Sequence, residues 1–144
     1  MTLRRLAQAA LVLALTCPAV PASAWAAPAP AVTRAVLQPP LSVADFPPQV
    51  ERACHIWEDL TWPTNPRPVD FRIPGPAYIR GGNPYGNRSG DLPGGGAYHE
   101  YDVNPRPTPT THRDAERLVR DEATDQVWYT DDHYTNFLEI SDGC

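Results

Sequence analysis

Val127-Trp128-Tyr129-Thr130, Asp131-Asp132 and then Tyr134-Thr135-Asn136-Phe137-Leu138-Glu139-Ile140 form the most legible stretch of the chain. Two runs rich in β-branched and aromatic residues flank a pair of turn-prone aspartates, so the stretch reads as a β-hairpin. Alternation along its second strand sends Phe137 and Leu138 to opposite faces of a sheet. Upstream, Ala97 to Val103 reads as another strand, with Tyr98, Glu100 and Asp102 on one face and Tyr101 and Val103 on the other. Leu118-Val119 is a shorter strand after the turn-prone run from Pro105 to Pro109.

Further out, the periodicity changes. Val50, Ala53, Cys54, Trp57 and Leu60 recur three or four residues apart, which predicts one helix from Pro47 to Leu60. The prolines fit its first turn, and Asp45 is a candidate cap. Pro63, Pro66 and Pro68 end the helix and keep the chain extended to about Pro76. The expected fold class is α+β, one N-terminal helix packed on a twisted antiparallel β-sheet.

The first 24 residues read as something other than fold. Arg4 and Arg5, an apolar run from Leu6 to Leu15 and the small residues Ala22-Ser23-Ala24 have the layout of a secretory signal peptide. The run is too short to span a bilayer. The Ala/Pro-rich stretch 25–45 is expected to be a flexible leader, with Trp25 exposed, and 46–144 to be the one domain of a secreted, extracellular protein without a membrane partner. Loss of the signal would leave ten arginines, no lysine and seventeen acidic residues, a net charge of −7. That balance argues against a non-specific nucleic-acid coat or a polybasic membrane binder, but not against a nucleic-acid enzyme with a few arginines in one cleft. Cys54 and Cys144 would be the cysteines left, and in an exported chain they most simply pair as one disulfide, two free thiols being the alternative.

Glu100, Arg113, Arg117 and His133 are the residues whose chemistry could converge. A carboxylate and an imidazole make a general base and general acid, and two guanidinium groups offer fixed positive charge to a phosphate. Taken singly they are ordinary: a solvated strand glutamate, a hairpin-turn histidine, two arginines on one exposed face. Trp57 and Trp128 read as core, Trp62 as exposed, and His99, alternating away from Glu100, as structural. A metal group of His99, Asp131, Asp132 and His133 matches no standard ligand spacing.

Three strings raise the reading. Gly81-Gly82-Asn83-Pro84-Tyr85-Gly86-Asn87-Arg88-Ser89-Gly90-Asp91-Leu92-Pro93 resembles the base-recognition loop of the barnase-like, guanyl-specific bacterial extracellular ribonucleases. Tyr98-His99-Glu100-Tyr101 resembles that family's catalytic-glutamate strand, and Asp132-His133-Tyr134-Thr135-Asn136-Phe137 its catalytic-histidine segment, with Asn136 in place of a threonine.

The resemblance implies a metal-independent endoribonuclease, without cofactor, that cleaves single-stranded RNA by transesterification to a 2′,3′-cyclic phosphate and then a 3′-phosphate. Glu100 would be the base, His133 the acid, and Arg113 and Arg117 the phosphate holders, with Tyr134 adding a hydrogen bond. An acid–base pair of this kind implies a bell-shaped pH dependence of rate. The base would lie against Tyr85 and the backbone of Gly86, Asn87 and Arg88. Ser89 stands where the family has a glutamate, so guanine preference is expected to be weakened, altered or moved to Asp91. The resemblance further implies a monomer and an intracellular barstar-like inhibitor. The competing readings are a secreted binding protein that keeps the ribonuclease fold with weak or no catalysis, and a metal-dependent hydrolase.

Overall fold

The computed structural model describes residues 38–144. The expected signal peptide, Trp25 and most of the expected leader lie outside the described residues.

Helix α1 spans Pro48–Asp59, one residue inside the predicted bounds at each end. Pro47 occupies its N-cap and Pro48 its first turn, where a missing N–H costs nothing. Asp45 does not cap it, because it is used one step earlier in a 3-10 turn, Val43–Asp45. Val50, Ala53, Cys54 and Trp57 form the buried face. Beyond Leu60 the left-handed Thr61 and Trp62 reverse the chain, and their amides bond back to Glu58 and Trp57. Trp62, expected to be exposed, is half-buried: it packs edge-on against Tyr101 and lies under the Arg120 guanidinium.

Seven strands form one sheet: β1 (Leu41–Ser42), β2 (Val69–Ile73), β3 (Ala77–Pro84), β4 (Tyr98–Asp102), β5 (Arg117–Asp121), β6 (Val127–Thr130) and β7 (Leu138–Asp142). They lie in the order β1-β7-β6-β5-β4-β3-β2. The expected antiparallel pairing holds from β2 through β7, and only the two-residue β1 runs parallel, to β7. The α+β architecture is therefore as read from the sequence, with one mixed edge.

Four details differ from expectation. Leu41 to Asp45 belong to the domain and not to a leader: β1 pairs with β7, and Val43 sits in the core. The stretch read as merely extended to about Pro76 holds β2 and the turn at Gly75, φ +92°, that leads into β3. Its glycines and prolines hide the strand signal, since both residue types are depleted in strands. The last strand starts at Leu138, four residues later than predicted, because 131–137 is an ordered loop. Finally, β5 is longer than Leu118-Val119.

The sheet carries two apolar layers. Tyr101, Val103, Leu118, Val127, Tyr129 and Ile140 face α1, whereas Tyr98, Val119, Trp128 and Phe137 face away with Leu92. Phe137 and Leu138 do take opposite faces, Leu138 packing against the helix-side layer. Cys54 and Cys144 are joined as a disulfide, tying α1 to the end of the chain. Among the described residues, no helix is long and apolar enough to cross a membrane.

Candidate active site

The site builds on the sheet face opposite α1. Cross-strand register puts Asn83, Glu100, Val119 and Trp128 in one row and Asp102, Arg117 and Thr130 in the next. Asn83 joins the first row only because of a bulge. Gly81 pairs with Tyr101 and Asn83 with Glu100, so Gly82 is the extra residue. Its φ of +86° suits glycine, and a Cβ there would lie 2.4 Å from the Pro63 carbonyl oxygen. The one-residue shift turns Asn83 toward Glu100 instead of toward the core. The Asn83 side-chain oxygen is buried there without a partner.

Glu100 is 9% exposed and has two polar neighbours. The Tyr134 hydroxyl donates to its Oε2, and Arg113 Nη2 stands 3.7 Å from Oε1. Burial, followed by the bond to Glu100, pushes the Tyr134 phenol well above its ordinary pKa, so it stays a donor. Arg113 is aimed by Asp102, whose Oδ1 accepts from its Nε at 2.6 Å. Asp102 itself is 1% exposed. Arg117, also buried, reaches Asp102 at 3.6 Å and donates through Nη1 to the Glu116 carbonyl.

Arg113 Nη2 and Arg117 Nε are buried and lie against Asp102 Oδ1, at 2.6 and 3.6 Å, without hydrogen-bond geometry. Two guanidinium groups held beside one cleft by a shared carboxylate suit an anion there. That cleft, of about 400 Å³, is lined by His112, Arg113, Asp114, Ala115, Arg117 and His133.

His133 and Tyr134 reach the site from the loop between β6 and β7, and both are left-handed, at φ 60° and 74°. For non-glycine residues this conformation costs on the order of 1 kcal/mol or more each and persists only where the surroundings enforce it. Asp132 does so. Its Oδ1 accepts from the Thr135 and Asn136 amides at 2.9 Å each and from the Thr130 hydroxyl. The Tyr134 amide in turn donates to Thr130 Oγ1. Asn136, which departs from the resemblance, adds a side-chain bond to Asp132 Oδ2.

Burial alone would raise the Asp132 pKa, but the bonds from Asn136, Thr130 and Thr135 outweigh it and hold it at about 2. A carboxyl lowered by folding contributes stability above its unfolded value and loses it as pH falls through the folded one. The Thr135 and Asn136 amide resonances are therefore expected to titrate at about pH 2. An NMR midpoint near 3.8, the ordinary aspartate value, would contradict this account of the loop.

Tyr85 continues the ladder past β3, its amide donating to Tyr98. Its ring stacks on Tyr134 at 5.0 Å and meets Phe137 edge-on. Asn87 is left-handed, and its side chain bonds both the carbonyl and the amide of Leu92, closing the loop. Gly86, Arg88 and Ser89 lie exposed on that loop. Of the residues singled out in the sequence, Glu100, Arg113, Tyr134 and Tyr85 come together directly, and His133 and Arg117 share the adjoining cleft.

His99 points elsewhere, its Nδ1 lying 2.8 Å from the Gly82 carbonyl. It does not converge with Asp131, Asp132 and His133, nor does any metal-holding group of three occur among the described residues. Sequence reasoning missed Asn83, Asp102 and Arg106 as parts of this neighbourhood. The alternation that placed Asp102 beside Glu100 was the available signal for one of them.

A family model for ribonuclease matches residues 29–141. The chain belongs to the ribonuclease family. The matched segment covers the helix, strands β1 to β6 and all but the last residue of β7, and starts inside the stretch expected to be a leader. No curated protein matches the chain. Membership assigns the domain RNA cleavage as its general activity.

Proposed function

We propose that this ribonuclease is a secreted, metal-independent endonuclease that cleaves single-stranded RNA by transesterification. Glu100 takes the proton from the ribose 2′-hydroxyl, whose oxygen attacks phosphorus. His133 protonates the departing 5′-oxygen, leaving a 2′,3′-cyclic phosphate. Water then opens the cycle with the two roles exchanged and gives a 3′-phosphate. Arg113 and Arg117 hold the phosphate as its charge grows, with Tyr134 as an added donor. DNA lacks the attacking hydroxyl, so selectivity for RNA comes with the mechanism.

The observation that carries this reading is the pair of arginines, both held by Asp102, that stand beside the buried Glu100 carboxylate and line one cleft with His133. The first test is cleavage of a single-stranded RNA by the oxidised mature chain in excess EDTA. Cyclic-phosphate termini are expected. No cleavage by folded protein would instead favour the binding-protein reading, and loss of activity in chelator the metal-dependent one.

Base choice follows from Ser89. Its single hydroxyl cannot offer the paired acceptors that a carboxylate presents to guanine. The domain is expected to show weak base preference, with the base resting on Tyr85. Installing Ser89→Glu should raise discrimination for guanine by about 1–3 kcal/mol, the value of one bidentate base contact. Cut-site mapping that finds the same preference in both proteins would overturn this assignment.

A further inference from the structure

The proline-rich segment between β4 and β5 is where this chain carries a buried charge that the proposed chemistry does not use. We propose that Arg106 is a positioning residue: it ties the segment to the sheet so that the Arg113 guanidinium is held at the wall of the phosphate cleft. The proposal rests on the phosphate-holding role assigned to Arg113 above.

Arg106 is only 5% exposed although prolines flank it. Its backbone bridges Tyr78 through paired hydrogen bonds of 2.8 and 2.7 Å. Its Nη1 donates to two carbonyls of its own loop, Pro109 at 2.9 Å and Thr111 at 2.8 Å. Its Nη2 donates to Asp70 on β2 at 2.6 Å. Its Nε faces Asp102 at 3.7 Å, the carboxylate that aims Arg113. Prolines at 105, 107 and 109 supply no amides, so backbone bonds are sparse there: besides the Tyr78 pair, the Thr111 amide donates to the Thr108 carbonyl. One planar guanidinium with five donors adds the ties to Asp70 and to the carbonyls of the tip.

Two routes therefore run from Arg106 to Arg113. One passes along the chain, since the held Thr111 carbonyl lies two residues before Arg113. The other passes through Asp102, which receives Arg113 on Oδ1 and faces Arg106 on Oδ2. The base of the segment is closed independently, by Asn104 bonding Asp114 and Glu116. Losing the Arg106 side chain would thus leave the segment anchored at its base and at the Tyr78 backbone pair, with its tip untied from Asp70. This is the arrangement of a positioning contact more than of a general staple.

The test uses the full oxidised chain with Arg106→Met and Arg106→Lys, read by the Kd for inorganic phosphate, by kcat and KM on an RNA oligonucleotide, and by thermal midpoint. Arg106→Met is expected to weaken phosphate about tenfold and to lower kcat/KM by up to about a hundredfold, the scale of an ångström-sized misplacement. Arg106→Lys should fall between, because one ammonium cannot hold Pro109, Thr111 and Asp70 together. A role confined to stability would lower the midpoint and leave the phosphate Kd of the folded protein unchanged, which overturns the proposal. Should the methionine variant fail to fold, lysine at wild-type phosphate affinity overturns it as well. A wild type that binds phosphate without cutting RNA defeats the ribonuclease mechanism but leaves the phosphate comparison decisive. One that binds no phosphate defeats both.

Discussion

Glu100→Gln is expected to lower kcat on single-stranded RNA at least a hundredfold with KM changed little, since general-base catalysis contributes roughly 10²–10⁴. The amide matches the carboxylate in shape and can still accept from the Tyr134 hydroxyl, so folding should survive. Glu100→Ala would be less clean: it strips a partner from Tyr134 and from Arg113 together. His133→Ala should cost a comparable factor. Groups that act as a unit are non-additive, so the double variant should be little worse than either single one. A glutamine variant that kept a large share of wild-type rate would remove Glu100 from the role of base.

Breaking the Cys54–Cys144 bridge by a double alanine substitution should cost the most stability of any change considered. The bridge spans a sequence separation of 90, and the chain-entropy model values a loop near that length at roughly 4–5 kcal/mol. For a domain of this size that corresponds to a fall in Tm of roughly 20 °C. The location sharpens the expectation. Cys54 is fully buried on α1, and Cys144 follows β7, which alone holds the short β1 at the sheet edge. Releasing it frees that edge and the strand that ends the His133 loop, so activity should decline at temperatures below the global transition. Calorimetry and rate measurements with and without reductant would check both parts. A midpoint within a few degrees of wild type would mean that the edge strands are held by packing alone.

The residues explain how much of this was readable. The helix was legible because five apolar residues keep a period that no strand can use, and the prolines at its start have one comfortable position. Strand β4 was legible through the alternation of its residues between two faces, and β6 because it is an unbroken run of aromatic and β-branched residues. The β2–β3 hairpin was not. Gly81 is required by contact with Tyr101 and Trp57, where a Cβ would meet ring atoms at 2.7 and 2.9 Å, and Gly82 by the bulge. Those glycines serve tertiary packing, and in the sequence they look like turn residues. The last strand began late for a similar reason, since Asp132 gathers four hydrogen bonds into a loop where composition alone suggested pairing.

By itself the amino-acid sequence determined the α+β class, the helix, the disulfide partners and the residue types that could do acid–base and phosphate chemistry, because periodicity, cysteine count and side-chain chemistry are local properties. Only the tertiary structure decided which of those residues meet. Asn83 opposes Glu100 through a one-residue bulge. His133 and Tyr134 are presented by two left-handed residues that Asp132 and Thr130 hold in place. Arg113 is aimed by a carboxylate two residues beyond Glu100 and an arginine buried among prolines. Register, bulges and buried ion pairs depend on contacts between segments far apart in the chain, and no local pattern encodes them.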